Sequence, residues 1–430
     1  MSKITRRRAL QLFGTSAALA GAGSLAMPSI SRAASGHVVV VGGGFGGATA
    51  AKYLKRADSN IRVTLVEPAQ RFYTCPFSNL YLGGLRSFES IGHGYDALKA
   101  MGIDVVHAMA EDVNAGARTV RLAGGRTLNY DKLVLSPGID IRWGAIAGYD
   151  ESASTQAPHA WKAGSQTQLL KRQLDLMPDG GVFIMAAPDN PYRCPPGPYE
   201  RVSMIAHYLK TNKPKSKILV LDAKENFSKQ ALFMDGWKAL YGSMIEWVPQ
   251  SKDGKVVRVD AGALEVETEF GTKHKASVLN VVPPQKAGVI AERAGVTAEN
   301  GWVPVNPSTF ASTKDANIYV VGDATVAAPM PKSGFCANAQ GKVAAAAIAA
   351  TLDGKQPVAP HWLNTCYSMV APDYAISVAG VYRVADGKII EVPNSGGVSP
   401  RDADAAFRQR EAEYSKGWYA AITQDTWGTA

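Results

Sequence analysis

Residues 37–47 read HVVVVGGGFGG, and their reading decides the fold. Val38, Val39, Val40 and Val41 are β-branched and apolar on both faces, which suits a short buried strand of a parallel sheet. Gly42, Gly44 and Gly47 then fall at G-x-G-x-x-G spacing, and the next residues, ATAAKYL, are helix formers without a breaker. Strand, glycine turn and helix make the first half of a dinucleotide-binding unit. The glycines let the backbone approach a pyrophosphate, and the helix N-terminus favours the anion. About 20 residues further on, the apolar run 61–66 ends in Glu67, where a carboxylate can hold a ribose hydroxyl pair. A glycine fingerprint alone would also describe an ordinary tight turn. The flanking strand, helix and acid make it a nucleotide site, and which nucleotide must be read elsewhere.

The chain has 430 residues, room for two or three domains, with 46% hydrophobic and 19% charged residues, ordinary for a globular protein. The formal charge of +9 is concentrated at the start. Lys3, Arg6, Arg7, Arg8 and Arg32 lie in the first 33 residues, which hold no acid, so the remainder carries only +4. That is no nucleic-acid footprint. Thr5-Arg6-Arg7-Arg8-Ala9-Leu10 resembles a twin-arginine motif, and small-residue cleavage sites follow at Ser31-Arg32-Ala33 and Arg32-Ala33-Ala34. Residues 9–27 are rich in Gly, Ala, Ser and Thr, a poor permanent span, and no later stretch is long and apolar enough to cross a membrane. Residues 1–34 are therefore expected to be a twin-arginine export signal and the mature chain to be periplasmic. That route carries folded proteins, which suits a chain loading a cofactor before export.

Residues 35–150 read as the first part of a nucleotide-binding domain, with short strands and a Gly124-Gly125 hairpin after the loop RFYTCPFSNLYLGG. Tyr130 to Gly138, YDKLVLSPG, resembles the segment that marks the exit from the FAD domain in flavoproteins with two dinucleotide folds. A second α/β unit spans 151–284. Its buried strand GVFIMAA runs not into glycines but into Pro188, Pro191, Pro195, Pro196 and Pro198. Five prolines cannot make the tight turn, and they remove N–H groups that would cradle a pyrophosphate. The topology is kept while the nicotinamide site is lost. Residues 285–360 read as the second part of the FAD domain. There IYVVGD ends in Asp323, which in this fold class reaches the ribityl chain, and the helix after PKSGF could face the flavin. Residues 361–430 read as an aromatic, loop-rich tail, either a second core or an interaction surface. The fold expected is α/β: two Rossmann-like dinucleotide-binding domains, glutathione-reductase-like, with a smaller C-terminal α+β interface domain.

Cys75, Cys194, Cys336 and Cys366 are too few for a disulfide scaffold and allow three full pairings, among which sequence cannot choose. Each also reads as a small buried hydrophobe. The chain resembles, over essentially all of its mature length, the flavoprotein subunit of flavocytochrome c sulfide dehydrogenase. The resemblance rests on YTCPFSN around Cys75, RCPPGPYER around Cys194, MPKSG around Lys332, LNTCYS around Cys366 and the aromatic tail with Trp418.

That resemblance implies roles. Cys75 would carry FAD through a thioether to the 8α-methyl group, a reaction needing proximity and no metal. Cys194 and Cys366 would form a redox-active disulfide beside the flavin, with Glu200 the neighbouring acid/base, although Glu200 equally reads as a solvated or capping residue. Trp418 would lie close to the flavin, or simply in an aromatic core. Lys332 would put a positive charge near the pyrimidine, and Cys336 would be a bystander. Hydrosulfide would attack the disulfide, and reduced FAD would pass electrons singly to a separate c-type cytochrome subunit, since the chain has no C-x-x-C-H haem motif of its own. The product, whether sulfur, polysulfide or persulfide, is left open. The rivals are a sulfide:quinone oxidoreductase, which needs an amphipathic lipid-facing segment that RDADAAFRQREAEYSK does not offer; an NAD(P)H-dependent disulfide reductase, disfavoured by the prolines; and a flavin electron-transfer partner without sulfide chemistry.

Overall fold

The computed structural model describes residues 36–429, so the export signal expected at 1–34 lies outside the described residues. Along the chain, β1 (His37–Val41) leads through the glycines into α1 (Phe45–Ala57), then β2 (Arg62–Val66), β3 (Asp104–Val106) and β4 (Lys132–Leu135). A second run follows with α2 (Ser165–Leu176), β5 (Val182–Ala187), α3 (Gly197–Asn212), β6 (Lys217–Asp222), α4 (Gln230–Tyr241), β7 (Ile245–Val248) and β8 (Val278–Val281). The chain then returns through β9 (Ile318–Val320) and α5 (Gly334–Leu352). It ends in β10 (His361–Ala371), β11 (Tyr374–Ala385) and α6 (Ala405–Trp427).

The first sheet is parallel throughout, in the order β9-β4-β1-β2-β3, so β1 runs down its middle. That position explains the four valines. They are at most 6% exposed, because helices cover both faces of a parallel sheet. The second sheet is also parallel, in the order β7-β6-β5-β8. Two parallel sheets with crossover helices are the two Rossmann-like units the sequence predicts. Each unit carries a three-stranded antiparallel appendage. One is built from Ala110–Asn114, Thr119–Leu122 and Thr127–Asn129, the other from Val256–Asp260, Glu265–Thr268 and Lys273–Lys275.

The C-terminal part departs from the loop-rich tail expected of it. β10 and β11 form a long antiparallel hairpin closed by two residues, with Ala371 opposite Tyr374, and α6 runs for 23 residues. The helix was illegible because its buried stripe is largely polar: Arg408, Glu411, Ser415, Thr423 and Thr426 share it with Ala412, Tyr419, Ile422 and Trp427. Most of their polar groups are matched locally, Arg408 Nε being the exception. Glu411 Oε1 accepts from the Ser377 and Ser399 hydroxyls at 2.6 Å each, and Arg408 lies 3.4 Å from Glu411 Oε2. A polar stripe leaves no hydrophobic period to find, yet buries well once most of its groups are paired.

The end of α6 is fastened to the first unit. Lys52 Nζ donates to the Gly428 carbonyl at 2.8 Å, Tyr53 Oη to Asp425 at 2.7 Å, and Trp427 Nε1 to the Gly43 carbonyl at 3.0 Å. The Trp427 ring stacks on Phe72 and His93 at 5.4 and 4.8 Å. The last turn of the chain thereby braces the glycine turn that follows β1.

Candidate active site

A cavity of about 480 Å³ opens at the carboxyl end of β1, where ligands bind in open parallel sheets. Gly42, Gly44, Glu67, Cys75, Gly138 and Asp323 all line it. Gly42 has φ +101°, and a Cβ there would meet the Ser136 carbonyl at 2.2 Å. Gly47 lies just inside α1, where a Cβ would reach the Gly42 carbonyl at 1.8 Å. Both positions require glycine. Gly44 caps α1 with no side chain bonded to the helix end, which leaves the first N–H groups of a 13-residue helix to an anionic ligand. Glu67 holds the turn, accepting from Gly43 N at 2.8 Å and Ala69 N at 3.0 Å.

At the other side of the cavity, Asp323 follows β9. Its Oδ1 is buried without a hydrogen-bond partner, while Arg193 approaches Oδ2 at 3.7 Å. Burial raises the carboxyl above its ordinary value, with Arg193 and Lys332 opposing. An orphaned buried acceptor beside an uncapped helix and a glycine cradle fits a cofactor carrying both hydroxyls and a pyrophosphate. FAD is such a group.

The cysteines converge from three parts of the chain. Cys75, in the loop before the short helix Ser78–Leu82, lines the cavity with its Sγ 3.4 Å from the Trp161 carbonyl, which also accepts from Arg193. Cys194 stands at φ +60°, a left-handed conformation rare for a side-chain-bearing residue. The Cβ position of Gly197, the first residue of α3, is 2.9 Å from both Cys194 Sγ and the Trp161 ring. Cys366 projects from β10.

Glu200, in the first turn of α3, ties the three together. It accepts from Asn79 Nδ2 at 2.8 Å, four residues past Cys75, and from Met369 N at 2.9 Å, three residues past Cys366. Burial raises its carboxyl, against the Met369 and Asn79 hydrogen bonds and the charges of Lys229 and Arg201. Burial likewise pushes the Cys194 thiol well up, helped by Cys366, Glu200 and Cys75 and opposed by Arg193. The Cys366 thiol is raised by burial and by Glu200, with Lys229 opposing. Cys75, Cys194, Cys336 and Cys366 are all thiols in the structure.

Three other candidates lie at the periphery. Lys332 lines a second cavity of about 300 Å³ rather than the first. Its ammonium donates to the Asp323 and Thr325 carbonyls at 2.8 and 2.7 Å and lies over the Trp302 ring; burial lowers it to about 8. Trp418 stacks on Phe335 in the first turn of α5, centroids 6.4 Å apart, with its indole N–H buried and unpartnered. Cys336, the bystander, is buried on α5 with Sγ 3.4 Å from Asn364 Oδ1.

Sequence reasoning missed Arg193, Arg201, Lys229, Asn79 and Trp161. Arg193 was visible as the neighbour of Cys194. Arg201 is 2% exposed and donates to Asn79, Asn280 and the His159 and Ala160 carbonyls, all uncharged. Nothing in its local sequence signals a buried guanidinium.

A family described as the sulfide dehydrogenase flavocytochrome c flavoprotein chain, central part, matches residues 167–283. One described as flavocytochrome c sulphide dehydrogenase, flavin-binding, matches 358–427. The pyridine nucleotide-disulphide oxidoreductase family matches 36–173. The sulfide dehydrogenase flavoprotein chain of Chlorobaculum thiosulfatiphilum is 71% identical over 43 residues, 10% of this chain and 90% of that sequence. The mitochondrial sulfide:quinone oxidoreductase of Mus musculus is 23% identical over 328 residues, covering 75% of this chain and 72% of its own. Among solved structures, the sulfide:quinone oxidoreductase of Aquifex aeolicus superposes with a TM-score of 0.70 at 19% identity, over 90% of this chain and 92% of that one. The fold is thus that of the disulfide-reductase-like flavoproteins, and the chain belongs to the family of the flavoprotein chain of flavocytochrome c sulfide dehydrogenase.

Proposed function

We propose that this flavoprotein oxidises hydrosulfide at a Cys194–Cys366 disulfide, holds FAD through a thioether to Cys75, and hands electrons singly to a c-type cytochrome subunit in the periplasm. The observation that carries the reading is the convergence at Glu200. One carboxyl, in the first turn of α3, is hydrogen-bonded to the element behind Cys75 and to the strand bearing Cys366, and follows Cys194 by six residues.

Gly42, Gly44 and the start of α1 would hold the pyrophosphate, Glu67 the ribose, and Asp323 the ribityl hydroxyls. Bound FAD supplies a two-electron acceptor that can release electrons one at a time. The protein's own groups do the rest. Hydrosulfide adds to one sulfur of the disulfide, the S–S bond breaks, and its electron pair leaves on the other cysteine as thiolate. The incoming sulfur, now a persulfide, has been oxidised by two electrons and the disulfide reduced by two. Glu200, a buried carboxyl whose pKa burial raises, is placed to give a proton to the departing thiolate and take it back. Arg193 faces Cys194 and favours negative charge there. The arginine-rich residues 1–34 support twin-arginine export, and a thioether would keep FAD from being lost where it cannot be replaced.

A second acceptor has support as well, because relatives named sulfide:quinone oxidoreductases share the fold. Among the described residues no helix is long and apolar enough to cross a membrane, and the buried stripe of α6 is polar. The test is a mass spectrum of the denatured mature chain with parallel acceptor assays. FAD mass retained by the wild type and released from Cys75→Ala, with turnover on cytochrome c and not on a soluble quinone, is the expected result. Flavin still bound after denaturing Cys75→Ala, or turnover on quinone alone, overturns the corresponding part.

A further inference from the structure

Lys229 is buried, 8% exposed, and belongs to no motif. It stands at the N-cap of α4 with φ +61°, so the fold places a non-glycine residue in the left-handed region and a lysine in the interior at one position. Each is costly alone. Its ammonium donates to Ser368 Oγ at 2.8 Å and to the Cys366 and Ile376 carbonyls at 3.4 Å each, all uncharged. Among the described residues no carboxylate lies within 4 Å of it. A buried charge normally has a partner of opposite sign. Here the groups that favour its charged form are, in order, Cys366, Glu200, Cys194 and Glu411. Sulfur heads that order.

We infer that Lys229 is a positioning residue for the thiol chemistry: its buried ammonium is the counter-charge of an anionic sulfur carried by Cys366. The inference rests on the redox-pair reading of Cys194 and Cys366. When hydrosulfide opens that bond, Cys366 carries a thiolate if Cys194 is attacked and a persulfide anion if Cys366 is attacked. Either anion forms beside Lys229. In the oxidised site the ammonium is left with neutral acceptors, so the imbalance favours the opened, anionic form.

The charges facing Cys366 come from every element packed around it. They are Glu200 on α3, Cys194 before it, Lys229 ahead of α4, Cys336 on α5 and, acting on Lys229, Glu411 on α6. Lys229 is the only cation that bears on Cys366 in this set, whereas Arg193 serves Cys194. Removing the lysine should therefore act more strongly on Cys366 than on Cys194.

The experiment uses the flavin-loaded protein, fully reduced under anoxia. The rate of iodoacetamide labelling at each cysteine is followed against pH by peptide mass spectrometry in wild type, Lys229→Met and Lys229→Arg. The labelling midpoint of Cys366 should rise by about one pH unit or more in Lys229→Met, stay near wild type in Lys229→Arg, and move less at Cys194. If Lys229→Met does not fold, Lys229→Gln, which still donates to Ser368, gives the same reading. An unmoved Cys366 midpoint in a variant with native flavin absorption overturns the inference, even where its melting temperature has fallen. A thiol count on the oxidised, denatured protein separates the two claims. An intact Cys194–Cys366 bond with an unmoved midpoint sinks the role of Lys229 alone, whereas the absence of that bond sinks the redox pair and this inference with it.

Discussion

The turn after β1 and the turn after β5 occupy the same place in two similar units and do opposite things. Both follow a buried parallel strand and feed a long helix, α1 in one case and α3 in the other. In the first, glycines bring backbone close to backbone and leave a helix end uncapped. In the second, five prolines carry no N–H at all, and most of the remaining N–H groups are spent inside the protein. Asn190 N goes to Asp189 at 2.6 Å, Arg193 N to Gln285 at 2.9 Å, Cys194 N to the Lys332 carbonyl at 2.8 Å, and Gly197 N to the Cys194 carbonyl at 2.8 Å. Few are left to receive a phosphate, and no glycine turn gathers them. The strained position in this turn holds a cysteine instead of a glycine. One topology thus yields an anion cradle or a presented thiol, depending on which residue takes the positive φ.

The sharpest way to break the comparison is Gly47→Ala. Its methyl would overlap the Gly42 carbonyl, 1.8 Å from the Cβ position, so the turn must open. The expected result is flavin-free protein destabilised by about 3 kcal/mol or more, seen as loss of the flavin absorption band and of cooperative unfolding near wild-type denaturant. An alanine variant that still loads flavin would mean the cradle is not where the cofactor binds. Next in size, Cys194→Ser should keep flavin and lose sulfide-dependent bleaching by on the order of 10³-fold, measured by anaerobic stopped-flow. NADH should bleach neither protein, because the second turn lacks the glycine cradle of donors a pyrophosphate needs; bleaching by NADH would refute the contrast outright.

How far the sequence could be read follows the same line. The glycine turn, β1, the proline turn, the strands ending in Asp222 and Asp323, and the helix after Ser333 all carry local signals, namely apolar runs, breakers and spacing. The convergence does not. Asn79, Trp161, Arg201 and Lys229 act through bonds spanning tens to more than a hundred residues, such as Arg201 to Asn79 and Lys229 to Ser368. No local period encodes those contacts. The polar buried stripe of α6 failed to show for the related reason that its burial depends on partners in β11 and the Ser399 loop. Resemblance supplied the three cysteines proposed to act, but not the cations around them.

A smaller effect is expected at Glu200, which belongs to the proline-turn side alone. Glu200→Gln keeps a carbonyl acceptor for either Asn79 or Met369 and removes the exchangeable proton. Sulfide-dependent flavin reduction should slow by about 10²-fold, with the flavin spectrum and loading unchanged. The pH profile gives the discriminating signature. The wild-type rate should bend at a value above the usual glutamate range, because burial raises this carboxyl, and the bend should vanish in the variant. A slowed rate with the bend intact would assign the titration to another group.

The smallest effect concerns the carbonyl of Trp161, where the two sides meet. His159 Nδ1 accepts from Trp161 N at 2.9 Å, which requires that nitrogen to be unprotonated. Burial, followed by Lys162, Arg201 and Arg193, lowers this imidazole from 6.5 to about 3, and burial with Arg71 and Arg86 lowers His93 to about 4. Both values fall below those of the unfolded chain, so the unfolded state binds more protons as pH drops. Their contribution to stability is complete above about pH 6.5, shrinks below it, and is lost as pH falls through 4 for His93 and 3 for His159. The buried, raised carboxyls of Glu200 and Asp323 act in the opposite sense above their ordinary values, so the histidine share must be isolated by substitution. His159→Asn keeps an acceptor for Trp161 N and no longer titrates. Relative to wild type, its melting temperature should gain on the order of 3 °C between pH 6.5 and pH 4.5. His93→Gln, at the ring that bonds Tyr419 and stacks on Trp427, should flatten the pH dependence of the melting temperature in the same window without touching the cysteines. If both variants track wild type at every pH, protonation at these rings does not limit the fold.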